Sequence, residues 1–305
     1  MFLSKKLDTF DGKIVNVSVW DNVPSDQCVG VVVISHGMSE HSERYDDFAT
    51  FLNQNGFVVL ADDHRGHKYN NAGPKGVVEG DSFNQTLEDI RTVVDYAKNT
   101  YKKEVLLLGH SYGSFLSQRF MELNGRMLKG VILSGTAYMK TPLLRIGYLI
   151  ASAQAALCGP EKIGYLIDKM SFGSFNKPFE DQGQQFAWLS RDKKQVEKYE
   201  QDEYCGYPLC IGFYRSFFHG VTEMYEEGVD NIPKNLPVLI AVGGEDPVSN
   251  RAALAQKLYN FYKEKGLTDV TYKVYPGARH EILNEINRPE VYADFLRFIQ
   301  SVFAR

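Results

Sequence analysis

The residues best placed to do chemistry lie in one pentapeptide, Gly109-His110-Ser111-Tyr112-Gly113. A Gly-x-Ser-x-Gly run alone is weak, since ordinary glycine and serine usage supplies one in roughly a tenth of chains this long. Its surroundings change its meaning. Lys103-Glu104-Val105-Leu106-Leu107-Leu108 before it reads as a buried strand, and Ser114 to Met121 after it reads as a helix. Strand, sharp turn with glycines on both sides of the serine, then helix: that geometry lifts a serine hydroxyl to the top of a sheet as a nucleophile. The helix start behind Ser111 offers free N–H groups to a developing oxyanion.

A serine hydroxyl needs a base. With an elbow of this kind the acid and then the histidine follow the serine in the chain. Of seven histidines only His219 and His280 do so. His219 lies in an aromatic-rich stretch. His280 follows the strand Val270–Tyr275 and the turn Pro276-Gly277-Ala278-Arg279, at the strand end where open α/β sheets bind ligands. His280 is the expected base. Pro237 to Pro247 ends another strand in a turn carrying Glu245 and Asp246. Asp246 is the preferred acid, to fix the tautomer of His280 and stabilise its cation; Glu245 is the alternative, and Ser249 is expected to cap the next helix. The oxyanion donors are expected to be the amides of Tyr112, next to the nucleophile, and Met38, in the loop Ser35-His36-Gly37-Met38-Ser39-Glu40. His36, Gly37 and His110 flank these groups and are candidate substrate contacts. Asp62-Asp63-His64-Arg65-Gly66-His67 passes a first test as a metal site, but no companion His or Cys cluster follows. A hydrogen-bonded turn is the preferred reading, and no metal or other cofactor is expected.

The elements that must position these groups are legible as strands alternating with amphipathic helices. Gly30–Ser35, Phe57–Ala61, Val105–Leu108, Gly130–Ser134 and Pro237–Val242 are nearly continuous apolar runs, as in parallel strands buried on both faces. Ile14–Trp20 alternates and predicts an antiparallel strand with one exposed face. Phe83, Leu87, Ile90, Val94, Ala97 and Tyr101 form one helical stripe, with Asp81 or Ser82 as its cap. A last helix is expected to start near Pro289. The pattern predicts a doubly wound, mostly parallel α/β sheet. About a hundred residues between Ser134 and Pro237 break the rhythm. Their helical stretches, such as Leu143–Leu157, and many aromatics predict an inserted helical cap. The expected division is residues 1–138 and 232–305 for the core and 139–231 for the cap.

Composition closes off other classes. The 305 residues are 44% hydrophobic and 24% charged, ordinary values for a globular protein. Lys+Arg 34 against Asp+Glu 38 gives a net charge of −4, not a basic nucleic-acid footprint. No apolar run approaches the roughly 20 residues of a membrane span, and the first residues do not read as a secretory signal. Cys28, Cys158, Cys205 and Cys210 fit no metal spacing and read as reduced thiols, so a cytoplasmic location is expected.

These segments carry a family resemblance. His36-Gly37-Met38-Ser39-Glu40-His41-Ser42-Glu43-Arg44-Tyr45, Asp63-His64-Arg65-Gly66-His67, Gly109–Gly113, Gly244-Glu245-Asp246-Pro247-Val248 and Tyr275 to Glu281 resemble the α/β-hydrolase branch of monoacylglycerol lipases and bacterial lysophospholipases, also labelled serine aminopeptidase-like. The likeness covers nearly the whole core. It extends into the insertion at Ser171 to Lys177 and Trp188 to Asp192. It implies a Ser111/Asp246/His280 triad, Met38 and Tyr112 as oxyanion donors, and a cap over an acyl site. The sequence departs from the family at Lys68-Tyr69-Asn70, where Gly-x-Ser is usual, and at Tyr112, where Met is common.

The expected function is cleavage of carboxylic esters through an acyl-enzyme, on monoacylglycerol- or lysophospholipid-like substrates. The expected partner is a small acyl ester, with transient lipid contact through the cap. A small-ester carboxylesterase is one alternative. An aminopeptidase or amidase is another, with Glu180, Asp181, Glu223, Glu226 and Glu227 available to hold an amine. An idle ligand-binding protein is a third. A serine at the elbow speaks against the carboxylate-nucleophile chemistry of dehalogenases and epoxide hydrolases.

Overall fold

The computed structural model describes residues 2–70 and 73–305, with Glu227 as backbone only. Eight strands form one sheet. In chain order the elements are β1 (Leu3–Asp8), β2 (Ile14–Trp20), β3 (Gly30–Ser35), α1 (Asp46–Gln54), β4 (Phe57–Asp62), α2 (Ser82–Tyr101), β5 (Val105–His110), α3 (Tyr112–Asn124) and β6 (Gly130–Ser134). Helices α4 (Pro142–Cys158), α5 (Tyr165–Phe172), α6 (Lys193–Gln201) and α7 (Ile211–Thr222) follow, then β7 (Val238–Gly243), α8 (Ala253–Glu264), β8 (Val270–Tyr275) and α9 (Arg288–Phe303). The strand order is β1-β2-β4-β3-β5-β6-β7-β8. β2 is antiparallel to β1 and β4, and every other pair is parallel.

Alternating side chains of the central strands feed two cores. Val31, Val33, Val105 and Leu107 join α2, α3 and α8 on one face; Val32, Ile34, Leu106 and Leu108 join α1 and α9 on the other. Both faces are covered, so these strands can be apolar without interruption. The chain runs from β3 outward to β4, then back across to β5. This reversal opens a crevice at the carboxyl ends of β3 and β5, where Ser35 pairs with Gly109.

Two details differ from the sequence expectation for physical reasons. β2 is exposed on its second face only at its start, because Trp20 donates to Asp46 at 2.7 Å and Ser18 lies 2.9 Å from Ser42, both beneath the segment leading into α1. Ser249 does not cap α8. It accepts the Ala252 amide at 3.0 Å in a turn where Asn250, Arg251 and Ala252 all have positive φ, and the helix starts after that turn. Asp81 does cap α2, with its side chain accepting the Asn84 amide. Strand β1 was not foreseen. Its sequence LSKKLD is exposed along most of its length and has no apolar alternation to read.

Between β6 and β7 the chain leaves the sheet, and helices α4 to α7 cover the crevice; α7 packs on both α4 and α2. No helix among the described residues is long and apolar enough to cross a membrane.

The crossing of α3 over the end of β3 leaves no room for side chains. A Cβ on Gly113 would run into the carbonyl oxygens of Ser35 and His36, which are backbone and cannot swing away. Gly113→Ala should therefore destabilise the fold by about 1–3 kcal/mol or more, read as a lowered thermal midpoint. An unchanged midpoint would show that the crossing is slack.

Candidate active site

Ser111 stands between β5 and α3 with φ 52 and ψ −117. A non-glycine residue held there stores about 1–3 kcal/mol of strain. The turn is fixed from both sides: the Ser111 amide donates to Ser134 O at 2.9 Å, and the Ser114 hydroxyl donates to Ser111 O at 2.6 Å. Gly109 permits the close pass, since a Cβ there would strike Gly113 and Ser117. The side chain of Ser111 is partly open to a cavity also lined by Gly37, Met38, His110, Trp188 and His280.

His280 and Asp246 arrive on the turns after β8 and β7. His280 Nδ1 lies 2.9 Å from Asp246 Oδ1, with both side chains buried. Asp246 Oδ1 also accepts the Val248 amide at 2.9 Å, while Oδ2 has no donor among the described residues. The imidazole is therefore the main answer to that buried charge. Burial alone would lower the His280 pKa. The charge and hydrogen bond of Asp246, with Glu281 and Glu40 beyond, outweigh burial, and the net shift is upward from 6.5. Glu245 turns away: it is partly exposed and pairs with Arg251 at 3.2 Å.

Loop 36–40 is held against Ser111 by an array of hydrogen-bonded histidines. His36 Nε2 accepts the His64 amide at 2.9 Å, so its proton sits on Nδ1 and goes to Gly37 O at 2.7 Å. His67 Nε2 accepts the Ser39 amide at 3.0 Å, and its Nδ1 donates to Arg65 O at 3.0 Å. Burial, then the neighbouring histidines, push His36 well down and His67 to about 3. His64 Nδ1 is 2.7 Å from Asp62, and its Nε2 is 3.0 Å from the Ser35 hydroxyl. The ring nitrogens of His64 and His67 are thus committed to hydrogen bonds, which makes the 62–67 segment a polar brace. His36 is fully buried, both its nitrogens are engaged, and it lines neither cavity. His110 does line the first cavity. Its Nδ1 lies 3.3 Å from the Ser134 hydroxyl, and burial, then His280, push its pKa down to about 4.

A second brace was invisible as such in the sequence. Glu40 Oε1 accepts the Gly37 amide at 2.5 Å and the Tyr45 hydroxyl at 3.0 Å, and its Oε2 meets Arg44 at 2.5 Å. Arg44 forks onto Glu281 at 2.6 and 2.7 Å, joining the residue after His280 to the same loop. The chain separation between Arg44 and Glu281 hid this pairing. Among the described residues, neither the Met38 nor the Tyr112 amide donates to a protein acceptor. Tyr112 opens α3, and in a first helical turn such a free N–H group is the rule and faces an anion well.

A second cavity meets the first at Ser111. It holds about 410 Å³ and is lined by Tyr112, Phe115, Leu144, Ile167, Phe217 and Phe218 among others; Met38, Ser111 and Phe172 line both. The cap aromatics thus divide: Phe217 and Phe218 face this space, while Phe213 is buried against Tyr112, with ring centres 5.1 Å apart.

The acids weighed for an amine site, Glu180, Asp181, Glu223 and Glu226, line neither cavity, and the Glu227 side chain lies outside the described residues. Two cap aspartates are bonded: Asp168 to the Tyr214 hydroxyl at 2.7 Å, and Asp202 to His41 at 2.8 Å. His41, Asp202 and Cys205 also bring potential metal ligands within 4.8 Å of one another. Lys68 Nζ lies 3.3 Å from His41 Nδ1, and burial pushes the Cys205 thiol far up, so the group works as a tie between cap and core.

Sheet order, elbow and crevice define an α/β-hydrolase. The sequence model of the serine aminopeptidase, S33, family matches residues 26–287, and the chain belongs to that family. It is 26% identical to a monoglyceride lipase of Rattus norvegicus over 295 residues, covering 95% of this chain and 87% of the relative. It is 27% identical to a monoacylglycerol lipase of Mycolicibacterium smegmatis over 292 residues, covering 93% and 91%. A thermostable carboxyl esterase from Bacillus coagulans, solved in complex with glycerol, superposes with a TM-score of 0.86 at 26% identity over 99% of each chain. The protein is a serine hydrolase of the esterase type, acting on carboxylic esters.

Removing the guanidinium of Arg44 would leave two buried carboxylates facing each other. Arg44→Ala should cost about 3–5 kcal/mol, measured by urea unfolding. Burial would raise Glu281, but Arg44 holds it at about 2, below the ordinary 4.5. Its contribution to stability is therefore complete above pH 4.5 and lost as pH falls toward 2. In Arg44→Ala burial raises Glu281 instead, so that acid loss should disappear and the variant's deficit against wild type should shrink as pH falls; a deficit that stays constant or grows toward acid would contradict the assignment.

Proposed function

We propose that Ser111, His280 and Asp246 are the catalytic triad, with the Met38 and Tyr112 amides as oxyanion donors, in an enzyme that hydrolyses monoacylglycerol- or lysophospholipid-like acyl esters. The observation that carries this reading is the position of Ser111 at the junction of an apolar cavity and a polar one. An ester with a long acyl chain on one side and a hydrophilic alcohol on the other has that same division, with its carbonyl in the middle. Glycerol in the Bacillus coagulans relative and the lipase names of the sequence relatives agree with a polar alcohol side.

In the proposed reaction Ser111 Oγ attacks the ester carbonyl while His280 Nε2 takes its proton. The oxyanion is held by the Met38 and Tyr112 amides, each worth on the order of 3 kcal/mol. The carbon–alkoxy bond breaks, and the proton passes from His280 to the departing alcohol. Water then attacks the acyl-enzyme, gives its proton to His280, and the acid leaves as Ser111 is restored. Asp246 holds His280 in the tautomer this needs. His36 holds the oxyanion loop in place.

The cap supports delivery of such a substrate. Leu143, Ile146 and Met170 line the apolar cavity and are also exposed, 74%, 50% and 58% respectively. They form an apolar rim through which an acyl chain can pass from a lipid surface touched transiently by the cap. A cytoplasmic site of action belongs to the same proposal.

The test is a series of p-nitrophenyl esters from two to sixteen carbons, with Ser111→Ala as the blank. A maximum at long chains, abolished in the variant, is expected. A maximum at two to four carbons would make the enzyme a small-ester carboxylesterase, and no activity above the blank would remove the ester reading. Asp246→Asn should lower kcat on the order of ten-thousandfold. The base must be neutral to work, so kcat/KM should fall as pH drops through a value above 6.5. A midpoint at or below that value would contradict the Asp246–His280 coupling.

A further inference from the structure

The polar cavity at Ser111 has a charge pattern that bears on the alcohol half of the substrate. About 520 Å³ in volume, it has Glu40, Glu281 and Asp168 among its lining residues and neither Lys nor Arg. Arg44 stands behind the two glutamates and is forked onto Glu281, and Lys75 pairs with Glu203 at 3.7 Å. Three carboxylates against one guanidinium leave the chamber negative. Asp168 takes one neutral hydrogen bond, from Tyr214 to Oδ1, and its Oδ2 accepts none from the described residues. The remaining walls are aromatic. Trp188 lies against His280, ring centres 5.1 Å apart, with Tyr165, Phe186 and Tyr207 further out.

We infer that this chamber selects esters whose alcohol carries a positive charge, of the aminoalcohol or choline type, over neutral ones, and rejects alcohols that carry a negative charge. The inference rests on the reading of Ser111 as the nucleophile and narrows its substrate class. An ammonium two carbons beyond the ester oxygen comes off beside Trp188, where a ring face attracts it, with carboxylates behind. A phosphate or sulfonate in the same place leaves water for a negative chamber that supplies no cation. The lysophospholipid half of the functional proposal is thereby disfavoured, because its phosphate would sit there. The reaction is unchanged: water is consumed, the carbonyl–alkoxy bond breaks, and the alcohol leaves with the proton from His280.

Three esters of one acyl chain test this, used below their aggregation limits: the choline ester, the uncharged 3,3-dimethylbutyl ester of the same shape, and the 2-sulfoethyl ester. The expected order of kcat/KM is choline, dimethylbutyl, sulfoethyl. The first step should be about tenfold, within the range of a desolvated cation–π contact, and should shrink as salt is raised. Asp168→Asn should narrow the choline-to-dimethylbutyl ratio whatever it does to either rate alone. Equal rates on the choline and dimethylbutyl esters would overturn the inference. So would a sulfoethyl ester cleaved as fast as the neutral one, or cleavage of p-nitrophenyl esters with none of the three. Loss of all four activities would instead remove the esterase reading on which the inference stands.

Discussion

The strained turn at Ser111 is the constraint on which the rest of the site depends. A serine at φ 52 and ψ −117 does not stay there unaided. It is held because β5 enters and α3 leaves across the end of β3, with two glycines giving the clearance and Ser134 and Ser114 pinning the backbone. The same crossing brings loop 36–40 beside the serine, so a Cβ on Gly37 would lie 3.3 Å from that of Ser111. Ser111 and loop 36–40 are therefore placed by one piece of backbone packing. The sheet cores on both faces supply the rigidity behind it.

Around that turn, buried charge is arranged in two ways. The histidines at 36 and 67 are kept neutral by burial, and so can brace the loop without competing for a proton. His280 is equally buried but faces Asp246, and its pKa moves the other way. The Glu40–Arg44–Glu281 fork links the two sets, joining loop 36–40 to the residue after His280. That linkage explains why a motif before α1 and a motif after β8 belong to a single site.

Much of this was legible in the sequence. The elbow, the late histidine and the turn with two acids could be read from residue types, order and strand ends. Asp246 faces His280 in the fold, and Glu245 points to Arg251. What stayed hidden was pairing across distance. Nothing local marks Arg44 as the partner of Glu281, or Asp202 as the partner of His41. Strand β1 was missed because an exposed edge strand has no apolar period. The cap aromatics could be assigned to an inserted cap but not divided between core and cavity, since that division depends on how α7 lies against α4 and α2. Shape, charge and depth of the two chambers are likewise properties of packing that no motif carries.

The central claim is that Ser111 is activated by the His280–Asp246 pair to form an acyl-enzyme. Incubation with an alkyl fluorophosphonate, followed by intact mass and peptide mapping, tests it most directly. The account predicts one phosphonyl adduct per chain, on Ser111, absent from Ser111→Ala and formed far more slowly in Asp246→Asn. An adduct on another residue, or none on the folded wild-type chain, would contradict it.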